Sequence, residues 1–237
     1  TLDLTGITVS GGSVTIDADD GGGIYNRGTL TLTDSILTDN TAVKGGGIWT
    51  NGTLQMVGVT VTDNLSRFGG GVLSGGDTEI DRSTFQENTA GDGGGIRAES
   101  YGVLLIQRTT FRDNDASWPG SIGSGGAIDI DDTRTTVESS SFLSNSASYN
   151  GGAIRVRGPL FPDWKIGVIN STFYQNETAY DGGAIRVDSG LTNLVNCTIT
   201  ENHADDDGGG ISVSSSAVTN IQNSIIAGNT ARVVSNG

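Results

Sequence analysis

The sequence predicts an all-β fold, a right-handed parallel β-helix of about nine coils with three short strands in each. Three observations carry this expectation. A tetrapeptide of two Gly, then Gly or Ala, then Ile or Val begins at Gly21, Gly45, Gly69, Gly93, Gly125, Gly151, Gly182 and Gly208. Its first three intervals are 24 residues each, and the later ones are 32, 26, 31 and 26. Between these motifs an apolar residue is followed three positions on by Asn: Leu37/Asn40, Val61/Asn64, Phe85/Asn88, Phe111/Asn114, Phe142/Asn145, Phe173/Asn176, Ile199/Asn202 and Ile226/Asn229. Five positions before that apolar residue stand Leu32, Met56, Ile80, Ile106, Val137, Val168, Leu194 and Ile221, apolar in every repeat.

Each element follows from these columns. Two positions earlier come Leu30, Leu54, Thr78, Leu104, Thr135, Ile166, Thr192 and Thr219, and this period of two marks strands with one face inward. A 24-residue unit cannot bury its own face, so like residues stack on like residues of neighbouring coils. With coils about 4.8 Å apart, nine of them span roughly 43 Å. Phe85, Phe111, Phe142 and Phe173 are expected to form one buried stack, continued by Leu37 and Val61 on one side and by Ile199 and Ile226 on the other. The Gly pairs suit corners that need positive φ or close backbone approach. Asn40, Asn64, Asn88, Asn114, Asn145, Asn176, Asn202 and Asn229 read as an amide ladder, their tolerance of left-handed geometry fitting a corner. Residues 1–20, with Ile7, Val9 and Val14, read as one further coil without the Gly pair. The whole chain, 1–237, is expected to be one domain with loop insertions at 117–124 (SWPGSIGS) and 157–165 (RGPLFPDWK).

Composition narrows the function. Thirteen basic residues against 27 acidic give a formal charge of −14, a surface that repels phosphate backbones and anionic lipid heads. Nucleic acid is therefore not an expected partner. The 38 Gly follow no collagen period, and 34% hydrophobic residues spread along the chain argue against disorder. Cys197 is the only cysteine, so neither a disulfide framework nor a cysteine metal knuckle is expected. No membrane span and no signal peptide stand in these residues, so export would place its signal outside them.

The GGAI and FxxN motifs resemble the repeat of chlamydial polymorphic outer-membrane proteins. The stretch GGGIYNRGTLTLTDSILTDNTA resembles β-helix repeats of bacterial exported proteins of the CSLREA and choice-of-anchor Q type, and NSIIAGNTA resembles their last coil. The resemblance implies a secreted or surface-attached chain, extracellular or at the cell surface, with adhesion as the usual role. No leading CSLREA region and no anchor segment stand in this chain.

The polar clusters were weighed one by one. Asp181 and Asp207 occupy the same corner of adjacent coils, with Asp206 beside them, a placement compatible with Ca²⁺; no other cofactor is implied. Asp131-Asp132 and Asp205-Asp206 lack the Gly-His-Gly partner of a polygalacturonase-like hydrolase, and His203 is the sole histidine. Tyr25, Trp49, Leu73, Arg97, Asp129, Arg155, Arg186 and Ser212 form one column on the outward side, in which Arg97, Asp129 and Arg155 read as a charge ladder stabilising stacked strands. Tyr25 and Trp49, and in the insertions Trp118, Phe161 and Trp164, are candidates to bind surface glycans or proteins. The expected function is a non-enzymatic extracellular scaffold, in a fibre, surface layer or adhesin, with possible stacking of copies end to end. The alternatives are a polysaccharide lyase or hydrolase of the β-helix class and a carbohydrate-binding module. Convergent Asp with Arg or His in a groove favours the enzyme; a flat wall of Thr and Ser favours the scaffold.

Overall fold

A computed structural model describes residues 1–14, 20–118, 120, 122–158 and 165–232. The chain winds as a right-handed parallel β-solenoid, and like segments of successive coils stack into three parallel sheets of sixteen, nine and eight strands. One coil illustrates the path: Ile48–Thr50, Thr53–Val57, Thr60–Thr62 and Leu65–Phe68. The first two segments belong to the sixteen-stranded long sheet, whose two limbs are joined by the unbroken strand Ile185–Val195. The third segment lies in the nine-stranded sheet that carries the phenylalanines, and the fourth in the eight-stranded sheet that follows each Asn. We call these two the Phe sheet and the Asn sheet.

The expected register holds along the core. Phe85 pairs with Phe111, Phe111 with Phe142 and Phe142 with Phe173, all without solvent exposure. Their rings stack at centroid distances of 4.9, 5.0 and 4.6 Å. Leu37, Val61 and Ile199 continue the stack inside the core. Ile226 keeps the register but is 45% exposed, because no described residue covers the coil that contains it. The same holds for Ile221, paired with buried Leu194.

The Asn ladder is an interior feature. Asn40 through Asn202 are buried, and each Oδ1 from Asn64 to Asn229 accepts both the backbone N–H and the Nδ2–H of the Asn one coil earlier. Nδ2 also donates back to a main-chain carbonyl of the preceding coil, as Asn145 does to Phe111 at 3.1 Å. Gly12 takes the ladder position of the first coil, its N–H donating to Asn40 Oδ1 at 2.9 Å. One expectation is corrected here. The left-handed residue is not the Asn but the one before it, including Asp39, Asp63, Glu87 and Asp113 with φ of 54–56°. That turn aims the next side chain into the core, and the amide is satisfied there by its neighbours.

A second ladder is absent from the sequence reading. Two positions before the stacked apolar residue lie Ser35, Val59, Ser83, Thr109, Ser140, Ser171, Cys197 and Ser224. Six of their hydroxyls accept a main-chain N–H from the coil before, for example Thr109 N–H to Ser140 Oγ at 3.2 Å. Buried Cys197 occupies one rung and donates its thiol to the Val168 carbonyl at 3.4 Å; burial pushes its pKa up.

Candidate functional site

The eight Gly motifs turn the chain from the Asn sheet into the long sheet through a re-entrant corner. A Cβ on Gly126 would stand 2.2 Å from the Gly152 carbonyl oxygen and 2.3 Å from that of Ser146, so the corner closes only around glycine. Residues five apart then meet across it: Asp92 accepts from Arg97 at 3.0 Å, and Asp181 accepts from Arg186.

This corner changes the meaning of the outward column. The pairing Tyr25–Trp49–Leu73–Arg97–Asp129–Arg155–Arg186–Ser212 is as expected. The charges of Arg97, Asp129 and Arg155 do meet from coil to coil, but away from solvent. Leu73 is 1% and Arg97 9% exposed, and Asp129 is fully buried. Alternation tells which side of a strand a residue takes, but here that side is itself covered by the bend of the wall.

Within the corner four guanidiniums and six carboxylates form one network. Arg97 meets Asp129 at 2.7 Å, Asp92 at 3.0 Å, Glu99 at 3.1 Å and Asp131 at 3.4 Å. Arg157 reaches Asp131 at 2.9 Å, Arg155 reaches Asp188 at 2.8 Å, and Arg186 joins Asp188 at 2.7 Å as well as Asp181. Desolvation raises Asp129 from 3.8 to about 6, against the lowering pull of Arg97. Arg97 and Arg155 are held above their ordinary values, desolvation opposing and the carboxylates prevailing. Asp188 is also desolvated, yet hydrogen bonds from Arg155 and Arg186 bring it below the usual carboxylate range. The buried Asp129 Oδ1 has no hydrogen bond, although Arg155 Nη1 stands 3.7 Å away.

The other candidate residues fall in different places. Asp181 Oδ1 accepts the Asp207 backbone N–H at 3.1 Å and its Oδ2 faces Arg186, so the carboxylate expected to meet calcium is spent on protein donors. Asp206 and Asp207 are exposed. Among the described residues no three His, Cys, Asp or Glu side chains converge as a metal site. Tyr25 and Trp49 stack at 4.6 Å with their planes 7° apart, and the Arg27 guanidinium lies 5.1 Å from the Tyr25 ring centroid. One face of each ring is therefore engaged with the other, while Tyr25 stays 46% exposed. Trp118 is half-buried at the start of its insertion; Phe161 and Trp164 lie outside the described residues. Asp205 accepts from His203 Nε2 at 3.4 Å, far along the Asn sheet from Asp131-Asp132 on the long sheet.

The outer face of the Phe sheet is of another kind. Thr60, Thr84, Thr110, Ser141, Thr172 and Thr198 stand in one in-register column without a charge. No described helix is long and apolar enough to cross a membrane.

Three segments match a Chlamydia polymorphic membrane protein repeat. They are residues 82–99, 139–157 and 196–214, and each ends within the post-Gly strand or just beyond it. Neither the comparison with curated proteins nor that with solved structures gives a match. The motif match and the stacked sheets agree on a β-helix repeat protein of bacterial type.

Proposed function

We propose that the chain is a non-enzymatic scaffold displayed outside a bacterial cell, in an adhesin, a fibre or a surface layer. The carrying observation is that polar groups in each coil are spent on the neighbouring coil. The Asn amides, the Ser and Thr hydroxyls and the Arg–Asp corner all bond from coil to coil, which builds a stiff rod and leaves few groups free for chemistry. The flat, uncharged Thr and Ser column of the Phe sheet supports the same reading. The match to a repeat of chlamydial membrane proteins supports the location.

A β-helix lyase or hydrolase needs a carboxylate, Arg or His free to meet substrate. Arg97, Arg155 and Arg186 are held by carboxylates of their own wall, which leaves His203, Asp205 and Glu177 on the Asn sheet as the groups an enzyme would have to use. The test is incubation of the purified chain with pectin, alginate and hyaluronan. No release of unsaturated or reducing ends is expected, whereas release that disappears in His203→Ala or Asp205→Asn would establish the enzyme.

End-to-end stacking belongs to the same proposal. In the last described coil Val218, Ile221, Ile225 and Ile226 are 43–62% exposed. Asn229 N–H has no acceptor among the described residues, whereas each earlier rung donates to the next Oδ1. A second copy stacked end to end would supply both the cover and the acceptor.

A further inference from the structure

On the Asn sheet, away from the charged corner, lies an open groove of ≈ 280 Å³ whose walls include Asp115, Ser146, Ser148, Glu177, His203 and Asp205. A neighbouring cleft of ≈ 420 Å³ shares Glu177 and His203 and adds Gln175 and Glu201, so the depression continues across the wall. The register makes this a row. Asp115 pairs with Ser146, Ser146 with Glu177 and Glu177 with His203, four successive coils at about 4.8 Å each.

Three aromatic residues stand next in sequence to residues that line the row, although none of them lines it itself. Trp118, Tyr149 and Tyr180 each follow directly on a lining residue, Ser117, Ser148 and Ala179, and each stands two positions after the small inward residue Ala116, Ala147 or Thr178. Tyr149 and Tyr180 are 4.8 Å apart but tilted by 54°, and Tyr180 is 48% exposed. Unlike the parallel Tyr25–Trp49 pair, a tilted pair does not use up its ring faces on itself.

The polar groups show what they receive. Asp115 accepts from two hydroxyls, Ser146 Oγ at 2.7 Å and Ser117 Oγ. His203 reaches the Thr230 hydroxyl at 2.9 Å and Asp205 at 3.4 Å. Glu201 takes the Tyr174 hydroxyl, while Glu177 is exposed and its carboxylate has no hydrogen bond or ion pair among the described residues. No Lys or Arg lines either cleft, so anionic sugars are repelled. Most of the carboxylates are already met by neutral O–H or N–H donors, which is not the arrangement of a cation cage.

We infer that this groove binds an uncharged, hydroxyl-rich polysaccharide, with Tyr149 and Tyr180 stacking on the apolar sugar faces and Glu177, Ser148, Gln175 and His203 hydrogen-bonding its hydroxyls. This gives the surface scaffold a ligand class and rests on that reading only for the wall being turned outward. The experiment is isothermal titration of the full chain with cellohexaose, chitohexaose, mannohexaose and xylohexaose, and with hexagalacturonate and hexalysine as charged controls. At least one neutral hexasaccharide binds, the affinity falls about tenfold in Tyr180→Ala and in Glu177→Gln, and Trp49→Ala leaves it unchanged. Circular dichroism of the variants secures the fold, in which the side chains of Tyr180 and Glu177 make no hydrogen bond among the described residues. The inference is overturned if no neutral hexasaccharide binds at millimolar concentration, if binding survives Tyr180→Ala or is lost in Trp49→Ala, or if a charged control is bound in preference. A null titration leaves the scaffold reading intact, because the latter is decided by where the chain sits on the cell.

Discussion

Phe142 lies between Phe111 and Phe173 with ring centroids at 5.0 and 4.6 Å and no exposure. Phe142→Ala opens a cavity between two layers that the stiff walls on either side cannot close. The expected loss is about 3–5 kcal/mol in denaturant unfolding; a loss below about 1 kcal/mol would contradict the stack. Asp129 yields a prediction about pH. Its carboxyl titrates near 3.8 when unfolded and at about 6 when folded, so between these values the folded chain holds the extra proton. Its stabilising contribution is complete below pH 3.8 and is lost as pH rises through about 6. Asp188 works the other way: lowered by its two Arg partners, it stabilises at neutral pH and gives this up as pH falls through its folded value. Asp129→Asn isolates the first effect. Unfolding of both proteins across this range should show the variant gaining on the parent as pH rises, by on the order of 3 kcal/mol. A difference that stays constant with pH would overturn the assignment.

At the scale of the element, glycine and asparagine decide the corners. Gly126→Ala forces a Cβ to 2.2 Å from a main-chain oxygen and should abolish soluble folded protein. Gly167, inside the strand Lys165–Ile169, has nothing within 4 Å of an added Cβ, and its Ala variant should be neutral or up to about 1 kcal/mol more stable. Asn145→Ala removes the Oδ1 that receives two donors of Asn114 and leaves both buried, a cost of about 2–5 kcal/mol. At half-buried Asn229, where water replaces the lost acceptor, the same change should cost far less; equal costs in thermal unfolding would contradict the ladder.

These elements also mark what the sequence made legible. Phe, Asn and Gly recur because each fills a place that repeats in space, so their spacing gave the register directly. The hydroxyl ladder repeats too, but Val59 and Cys197 interrupt it, and Ser and Thr are common on every face of this chain. The burial of Asp129 was not legible at all. Period-two alternation places it outward, and only the bend at Gly125-Gly126, together with Arg97 and Arg155 from the flanking coils, covers it. For the same reason Tyr149 and Tyr180 escaped notice: they sit at a corner where strand alternation says nothing.

At the scale of the whole molecule, the charge of −14 is distributed unevenly. Four of the arginines are gathered in the corner network, while the groove on the Asn sheet is lined by Asp115, Glu177 and Asp205 without Lys or Arg. In the proposed stacking, copies of such a rod would repel one another side by side, while the exposed apolar residues of the last described coil and the Asn229 rung would take a second copy along the axis. Sedimentation velocity over rising concentration should show elongated oligomers that dissociate in Ile225→Asp; a monomer at every concentration would rule out stacking of this chain. The central claim, that the solenoid is a scaffold outside the cell, is tested most directly by immunogold electron microscopy of intact source cells with antibody against this chain. The account predicts gold particles on the outer surface without permeabilisation. Label that appears only in sectioned or permeabilised cells, confined to the cytoplasm, would contradict it.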